Sequence, residues 1–425
     1  MAVGKMYRDK STGLGWGKAI GSVPQRWGSI FGIRMQPDTS EPGPNCRFDP
    51  SLWPRINIGA TLGLTLTIVA TIGLFCGTLA QPLSAQENAP SFVVDPSWPK
   101  PLPKNWALGQ VGGVCVDSQD HIFIVNRRTL TDKELLIAAP APPIIEFDLA
   151  GNVINSFGDP DIVPASIHGC TTDREGNVYV AGNHDGIIQK YSPDGKLILQ
   201  IGTRGKVDTS SGTLTVQAGG GGLEGRALNS GHDRFFLPAS IAVDPTDGDI
   251  YVADGYGNSR IVVFDKSGRF LRQWGRQGTK AEVEAGMGGV FMQVVHCVTI
   301  GKDGLVYVCD RQGDRIEVFD KLGNFKRNIP VHTVGKIPDL WGTAWWIGFS
   351  PDPLQKYMYV ADGRNEAVHI LDHSSGKILA SFGRSGHQIG EFVHAHTLAV
   401  DSKGNIYVAE TGWGRRVQRF TPSKK

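Results

Sequence analysis

The feature that most constrains the fold of this chain is a unit of forty residues, Phe236–Gly275, that recurs along it. The unit reads FLPASIAVDPTDGDIYVADGYGNSRIVVFDKSGRFLRQWG. Three alternating apolar runs and a shorter fourth are separated by turns rich in Asp, Gly and Ser, a pattern that predicts a four-stranded antiparallel meander. Variants of this frame occur five more times between Val111 and Phe420. Six units at this spacing predict an all-β, six-bladed β-propeller with four-stranded antiparallel blades.

The two ends of the predicted ring have to be joined. The last unit stops after its third strand, at Phe420, whereas a lone strand-like segment, Pro90–Trp98, precedes the first unit. We therefore expect Pro90–Trp98 to supply the outer strand of the last blade. Closure of this kind hides the sheet edges that would otherwise promote aggregation.

The predicted propeller fills residues 86–425 as a single domain. Between its second and third units lies a polar segment, residues 203–234, that contains a run of four glycines, Gly219–Gly222. A loop of this length in a compact ring is either a mobile cover over one face or a decoration.

An uncharged stretch of 25 residues, Ile56–Ala80, is long enough to span a bilayer. It is followed by Leu83-Ser84-Ala85, which is similar to the small-residue site where signal peptides are cleaved. Residues 55–85 are therefore predicted to be either a signal peptide or a membrane anchor. Residues 1–54 are either a basic, disordered tail or a stretch upstream of the true start. Both alternatives predict an extracytoplasmic propeller that is periplasmic or secreted, or tethered to the membrane through residues 56–80.

The charge balance argues against a nucleic-acid partner. The chain has 43 lysines and arginines against 41 aspartates and glutamates, a formal net charge of +2, and no cationic tract beyond its N-terminus. Proteins that bind polyanions usually carry a basic patch or stripe. We therefore expect no nucleic-acid partner.

Four cysteines follow the hydrophobic stretch, and all of them fall within predicted strands. Such positions favour buried, apolar cysteines. Cys297 and Cys309 lie on paired strands of one hairpin and could alternatively form a disulfide in an oxidising compartment. The other two are Cys115 and Cys170.

Histidine recurs at one position of the repeat. When the units are aligned on the residue that closes the first strand, the residue five positions earlier is histidine in units two, four and six. The six aligned residues are Gly112, His168, Ala239, His296, Trp345 and His396. Because the first strand of each blade lines the central channel, three imidazoles on alternate blades should converge on the axis.

Three neutral imidazoles with an open fourth position are typical of catalytic zinc. We therefore expect zinc or another divalent transition metal at His168, His296 and His396. The alternative is that these histidines only form hydrogen bonds across the channel. His394, two residues before His396, is a candidate fourth ligand, proton carrier or substrate-binding residue.

The residues that follow the second strands indicate an anionic substrate. Arginine occupies this position in units one and four, as Arg127 and Arg311. Since a guanidinium binds a carboxylate through two parallel hydrogen bonds, we expect both to bind a substrate carboxylate. The alternative is that they pair with acids of the blades. Tyr256, in the corresponding loop of unit three, is either a packing residue or a phenol that acts as a base beside the metal.

The third unit is similar, almost word for word, to the central NHL-type repeat of peptidyl-α-hydroxyglycine α-amidating lyase, and the resemblance extends over all six units. It implies a six-bladed NHL propeller with a zinc ion on its axis, held by three histidines on alternate blades. It also implies two substrate-binding arginines and an active-site tyrosine. The matching positions are His168, His296 and His396 for the metal, Arg127 and Arg311 for the substrate, and Tyr256 for the tyrosine.

The chain departs from the family pattern at two positions near the site. His394-Ala395-His396-Thr397 stands where the family has Met-Pro-His-Asp, which removes an aspartate that helps to hold a structural calcium and leaves calcium doubtful here. Gly257 replaces the cysteine that follows the tyrosine, so this loop lacks the family's disulfide. No copper monooxygenase domain precedes the propeller in this sequence, so we expect the hydroxyglycine substrate to be made elsewhere.

These observations favour a metal-dependent lyase that cleaves an N–C bond of a carbinolamide-like hydroxy acid. Its partner would be a small molecule or a peptide with a carboxylate. A metal-dependent hydrolase or lactonase is one alternative, because metal-activated water supports either chemistry. A non-catalytic NHL propeller that binds a protein or a glycan is the other. The axial histidines argue against it, because a scaffold does not need them.

Overall fold

The computed structural model of the chain describes residues 89–213, 227–331 and 341–423. The predicted N-terminal tail at residues 1–54 lies outside these ranges, as does the predicted signal or anchor segment at residues 55–85. Within the described ranges, no helix is both long and apolar enough to cross a membrane.

The described ranges consist mainly of short strands, because each repeat alternates apolar and polar residues between Asp- and Gly-rich turns. Up to the second blade the strands are β1 (Phe92–Asp95), β2 (Trp106–Ala107), β3 (Val111–Val116), β4 (Ile122–Asn126), β5 (Ala139–Pro140), β6 (Ile144–Phe147), β7 (Val153–Phe157), β8 (Ile167–Thr172), β9 (Val178–Gly182), β10 (Ile188–Tyr191) and β11 (Leu197–Ile201). The next ten are β12 (Ser240–Val243), β13 (Ile250–Asp254), β14 (Arg260–Phe264), β15 (Phe270–Trp274), β16 (Arg276–Gln277), β17 (Val290–Phe291), β18 (Val295–Ile300), β19 (Val306–Asp310), β20 (Arg315–Phe319) and β21 (Phe325–Pro330). The last seven are β22 (Trp346–Phe349), β23 (Tyr357–Asp362), β24 (Ala367–Asp372), β25 (Ile378–Phe382), β26 (Ala395–Val400), β27 (Ile406–Glu410) and β28 (Arg416–Pro422).

Three short helical turns lie in the connections between strands. They are α1 (Asp132–Leu135), α2 (Lys280–Glu284) and a 3-10 turn at Arg311–Gly313. Both α-helices begin with a capping box, in which a threonine and a glutamate three residues later satisfy each other's backbone N–H groups.

The strands form six four-stranded antiparallel sheets, which are the blades of the predicted propeller. In chain order the blades are β3-β4-β6-β7, β8-β9-β10-β11, β12-β13-β14-β15, β18-β19-β20-β21, β22-β23-β24-β25 and β26-β27-β28-β1. Residues from all six first strands line one central cavity of about 170 Å³. The first strands therefore surround the axis, as the alignment of the repeats requires.

The ring is closed by the strand from the N-terminal side of the propeller. Strand β1 pairs antiparallel with β28, from Phe92 opposite Pro422 to Asp95 opposite Arg419. The ring of Phe92 also packs 5.6 Å from Tyr359 of the neighbouring blade. The prediction that Pro90–Trp98 completes the last blade is confirmed.

The cysteines correct the sequence prediction of unpaired, apolar residues. Cys297 and Cys309 form a disulfide within blade 4, which is the alternative that the hairpin left open. Cys115 and Cys170 form a second disulfide between the first strands of blades 1 and 2. The sequence did not indicate this pair, because the contact joins two blades whose first strands are 55 residues apart in the chain.

The described ends of the 203–234 insertion pack onto blade 3. Val207 is fully buried beside Phe236 and Leu237. Asp208 is buried as well, and it accepts hydrogen bonds from the backbone of Ser230 (2.8 Å) and the side-chain amide of Asn258 (3.1 Å). The ends of the insertion are therefore fixed to the loop that carries Tyr256, and residues 214–226, which include the four glycines, lie outside the described ranges.

Candidate metal centre

The three axial histidines stand where the pairing of strands is interrupted. In blades 2, 4 and 6 the register between the first and second strands shifts across His168, His296 and His396, respectively. An extra residue of this kind forms a β-bulge, which turns a side chain away from its normal direction. The bulges explain how residues of channel-lining strands direct their imidazoles toward one point.

Each of these imidazoles is held by the next blade in the ring. Nδ1 of His168 lies 2.8 Å from the carbonyl oxygen of Ala239, and Nδ1 of His296 lies 2.7 Å from that of Trp345. Nδ1 of His396 lies 2.8 Å from the carbonyl oxygen of Gly112. A carbonyl can only accept, so each Nδ1 carries the proton and each Nε2 presents a lone pair.

The three carbonyls belong to the residues that occupy the histidine position in blades 1, 3 and 5. Gly112 illustrates how close the neighbouring blades are at this level. A Cβ atom at Gly112 would lie 2.0 Å from the carbonyl oxygen of Ile167, the residue before His168. Glycine is therefore required for the close approach of blades 1 and 2 at the axis.

The donor set fits a divalent metal. One ligand atom from each of the three histidines lies within 4.8 Å of the others, and Nε2 of His168 is 3.0 Å from Nε2 of His396. Ligands of tetrahedral zinc, with Zn–N about 2.1 Å, are roughly 3.4 Å apart. Burial, strengthened by nearby cationic groups, holds the pKa of all three imidazoles well below the usual value of 6.5. The imidazoles are therefore neutral at physiological pH, as metal binding requires.

Tyr256 brings a hydroxyl group into contact with this centre. Its Oη lies 3.0 Å from Nε2 of His168 and 3.2 Å from Nε2 of His296. Nη1 of Arg311 donates to the same oxygen at 3.4 Å. The phenol thus contacts two of the axial histidines and a guanidinium.

The hydrogen-bond register explains why Tyr256 reaches the site from a position that the sequence alignment gives to Gly255. In five of the blades, a residue just past the end of the second strand donates its backbone N–H to a carbonyl of the first strand's N-terminal side. The accepting carbonyl belongs to the residue two positions before the one that occupies the histidine position. The five donors are Arg127, Asn183, Tyr256, Arg311 and Thr411. Blade 3 lacks the bulge, so its second strand continues one residue further before this position is reached. Tyr256 is therefore the structural equivalent of Arg127 and Arg311.

Arg127 lies on the blade 1 side of the same mouth. Its Nε donates to the carbonyl of Ile167 at 3.1 Å, and its Nη1 donates to Oε1 of Gln110 at 3.1 Å and to Oγ1 of Thr411 at 3.5 Å. Burial lowers the pKa of the Arg127 guanidinium from its usual value of 12.5, although the group remains a cation at neutral pH.

Arg311 is more deeply enclosed than Arg127. Only 5% of its surface is exposed, and its Nε has no hydrogen-bond partner among the described residues. Its guanidinium lies 4.8 Å from the ring of Trp345 and 5.6 Å from the ring of Tyr256. The two aromatic rings fix the cation, and the unpartnered Nε gives it a donor for an incoming anion.

Trp345 is one residue of the site to which sequence reasoning gave no role. It occupies the histidine position of blade 5, and its ring lies 5.6 Å from His296 and 5.8 Å from His396. Its indole N–H donates to the carbonyl of Gly342 at 2.7 Å, which holds the ring in place. The position of Trp345 in the repeat could have indicated its role, because any residue at the histidine position faces the axis.

His394 does not join the three histidines. The expectation that it shares a strand face with His396 fails because its backbone is left-handed, with φ of 58°, and β26 begins only at Ala395. Its ring instead lies 6.3 Å from that of Trp341, and its Nδ1 is buried without a hydrogen-bond partner among the described residues. His394 is therefore not part of the group of three histidines that could hold a metal ion.

Thr397 occupies the position at which the family that the chain resembles has an aspartate that helps to hold calcium. It is fully buried, and its Oγ1 accepts a hydrogen bond from the backbone N–H of Val114 at 3.1 Å. The hydroxyl thus joins blade 6 to blade 1. Among the described residues, the other group of potential metal ligands is Asp117, His121 and Glu146, which lies at the opposite end of β3.

Comparison with known proteins is consistent with this architecture. The NHL repeat is matched at residues 237–264. Peptidyl-glycine alpha-amidating monooxygenase B of Xenopus laevis is 27% identical over 78% of this chain, and the match spans 35% of the frog protein. NHL repeat-containing protein 3 of Homo sapiens is 26% identical over 85% of the chain and 95% of its own length.

A third relative carries the lyase name alone. Peptidyl-alpha-hydroxyglycine alpha-amidating lyase 2 of Drosophila melanogaster is 26% identical over 78% of this chain and 75% of its own length. With six four-stranded blades and three axial histidines that could hold a metal ion, the chain is a six-bladed propeller that contains an NHL repeat and is similar over most of its length to the peptidyl-α-hydroxyglycine α-amidating lyases.

Proposed function

We propose that this propeller is a metal-dependent lyase that cleaves the N–C bond of an N-acyl-α-hydroxyglycine, a carbinolamide with a carboxylate. The reaction converts R–CO–NH–CH(OH)–COO⁻ into R–CO–NH₂ and glyoxylate. The hydroxyl proton is lost, the nitrogen gains one, and no other reactant is consumed. The observation that carries the proposal is the position of the Tyr256 hydroxyl, 3.0 Å from a metal-ligand nitrogen of His168 and 3.4 Å from Arg311.

The metal would be held by Nε2 of His168, His296 and His396, and we propose zinc because three imidazoles with an open position suit it. When bound, such an ion supplies a positive charge that polarises and acidifies an oxygen donor. The carbonyl contacts at the three Nδ1 atoms orient the rings before any ligand arrives. The three imidazole rings therefore lose little conformational freedom when the site is filled, and little free energy is needed to order them.

Arg127 and Arg311 would bind the substrate carboxylate. Both lie at the channel mouth, and Arg311 has an unpartnered, buried Nε that a carboxylate oxygen could accept from. Tyr256 would take the hydroxyl proton at Oη, where the Arg311 guanidinium stabilises the phenolate that results. The three residues thus bind and deprotonate one end of the substrate.

We further propose that the propeller works outside the cytoplasm, in the periplasm or in secreted or membrane-tethered form. The two disulfides, Cys115–Cys170 and Cys297–Cys309, support an oxidising compartment. The uncharged sequence Ile56–Ala80 supports a signal peptide or an anchor.

The test is glyoxylate release from N-benzoyl-α-hydroxyglycine by the full chain loaded with zinc. The double variant His168→Ala/His296→Ala, which removes two of three ligands, is the matched control and should release none. A wild-type protein that holds its metal but forms neither glyoxylate nor benzamide would overturn the lyase proposal. The same protein would then be assayed with lactones and esters, for which a hydrolase would not need either arginine.

A further inference from the structure

We propose that Asn183 is a further substrate-binding residue whose side-chain oxygen accepts the amide N–H of the substrate, next to the bond that breaks. This inference rests on the proposed function, because it assigns a protein partner to the acylated nitrogen of the substrate. It concerns a residue of blade 2 that sequence reasoning did not single out.

The first observation is an unpaired acceptor. Asn183 is 8% exposed, and its Oδ1 is buried with no hydrogen-bond partner among the described residues. An amide oxygen buried without a partner destabilises the folded protein, because it loses its hydrogen bonds to water and gains none in return. A ligand that donates a hydrogen bond would remove this cost.

The second observation is the position of Asn183 in the ring. Its backbone N–H donates to the carbonyl of Ser166, two residues before His168. This is the register position that Arg127, Tyr256, Arg311 and Thr411 occupy in four other blades. Those four meet in pairs at the mouth, Arg127 with Thr411 and Arg311 with Tyr256.

Asn183 stands in blade 2, between Arg127 of blade 1 and Tyr256 of blade 3. The register that directs these two neighbours to the metal centre therefore applies to Asn183 as well. Because its Oδ1 accepts from no other residue of the described chain, the protein leaves the hydrogen-bonding capacity of this oxygen unused.

The chemistry of the site supports an acceptor at this place. The carboxylate of an N-acyl-α-hydroxyglycine is matched by the guanidinium groups of Arg127 and Arg311, and its hydroxyl by Tyr256. Its amide N–H needs an acceptor, which arginine cannot supply. Thr411, the other polar residue in this register, already contacts Gln110 and Arg127 through its hydroxyl. Asn183 is therefore the residue of this set with a free acceptor.

The experiment compares two stable ligands that differ only at the position of the amide N–H. N-benzoylglycine has the amide N–H, whereas 3-benzoylpropanoate has a CH₂ group in its place and the same length and carboxylate. Both are titrated calorimetrically into the zinc-loaded full chain and into Asn183→Leu, which keeps the volume but removes the acceptor. The variant should bind N-benzoylglycine about tenfold more weakly and 3-benzoylpropanoate as the wild type does.

Equal losses for both ligands, or no loss for either, would overturn the inference, as would a wild-type protein that binds neither. Asn183→Ala, which also lacks the acceptor, serves as a second variant if the leucine substitution impairs folding, which is checked by metal content and circular dichroism. Glyoxylate assays separate the two proposals. If wild-type protein forms no glyoxylate but still discriminates between the ligands through Asn183, the lyase proposal fails and the binding role of Asn183 stands.

Discussion

The hydroxyl oxygen of Tyr256 lies 3.0 Å from Nε2 of His168, although the two residues come from different blades and are 88 positions apart in the chain. Because Nδ1 of His168 donates to a carbonyl, its Nε2 can only accept, and the phenol is the donor of this contact. A metal that takes the Nε2 lone pair would remove that acceptor. The phenolic proton would then have to find another partner, which couples metal binding to the state of the tyrosine.

Tyr256→Phe tests whether this hydroxyl acts in the reaction. We expect kcat with N-benzoyl-α-hydroxyglycine to fall by about a hundredfold or more, which is the usual contribution of a general base. KM should change by less than about threefold, because the phenol would act in the transition state rather than in the ground state. The metal content should remain that of the wild type, since all three imidazoles are intact. An unchanged kcat, with or without a rise in KM, would leave Tyr256 as a packing or binding residue.

Arg127 offers a test of carboxylate binding. Arg127→Lys keeps a cation but loses the planar pair of donors, and Arg127→Ala loses both. We expect both variants to lower kcat/KM, the alanine variant by more than about tenfold, with metal content unchanged. Arg128→Lys is the matched control, since the Arg128 guanidinium donates instead to the carbonyls of Pro140 and Ala141. Equal effects of Arg127→Ala and the control would contradict a role in substrate binding.

The metal centre is tested by elemental analysis of protein purified without chelators. We expect about one equivalent of a divalent transition metal in the wild type, and zinc when the medium supplies it. His168→Ala/His296→Ala should lose the metal, because one remaining imidazole cannot hold it. His387→Ala removes an exposed histidine and should retain it. Metal-free wild-type protein would leave the axial histidines as channel-spanning structural residues and favour the scaffold alternative.

The sequence predicted those features that depend on the phase of the repeat. The six blades, the closing strand at Phe92–Asp95 and the convergence of His168, His296 and His396 all follow from counting residues within units. Contacts between blades do not follow from that count. The Cys115–Cys170 disulfide joins two first strands, and no alternation pattern states which faces of neighbouring blades meet.

Local backbone geometry accounts for the other differences. Tyr256 reaches the position of Arg127 and Arg311 only because blade 3 lacks the bulge present in blades 1 and 4. A single left-handed residue, His394, removes the strand alternation that would have put it beside His396. One-residue changes of register are not visible in the apolar pattern, because a bulge and a regular strand can carry the same sequence of buried side chains.

A buried cluster of charged residues, which begins at Asp310 directly before Arg311 in the chain, predicts how the free energy of unfolding depends on pH. The guanidinium of Arg315 contacts both Asp310, at 3.0 Å, and Glu317, at 2.8 Å, so one cation faces two buried carboxylates. Burial raises the pKa of Asp310 to about 8 and that of Glu317 to about 7. The folded protein therefore keeps a proton here at a pH where the unfolded chain, with a glutamate pKa near 4.5, has released it. Stability should consequently be greatest below that value and decline as pH rises through about 7.

Glu317→Gln removes one of the two carboxylates and should flatten this decline. The measurement is the free energy of unfolding in urea between pH 5 and pH 8, for wild type and variant. Glu284→Gln, at an exposed glutamate of α2, is the control and should leave the wild-type slope unchanged. Asp310 is the residue directly before Arg311 in the chain. Glyoxylate release should therefore be measured between pH 5 and pH 8 as well. If the wild-type free energy instead rises from pH 5 to pH 8, or if Glu317→Gln keeps the wild-type slope, the two carboxylates are both ionised in the folded state and Arg315 compensates for them.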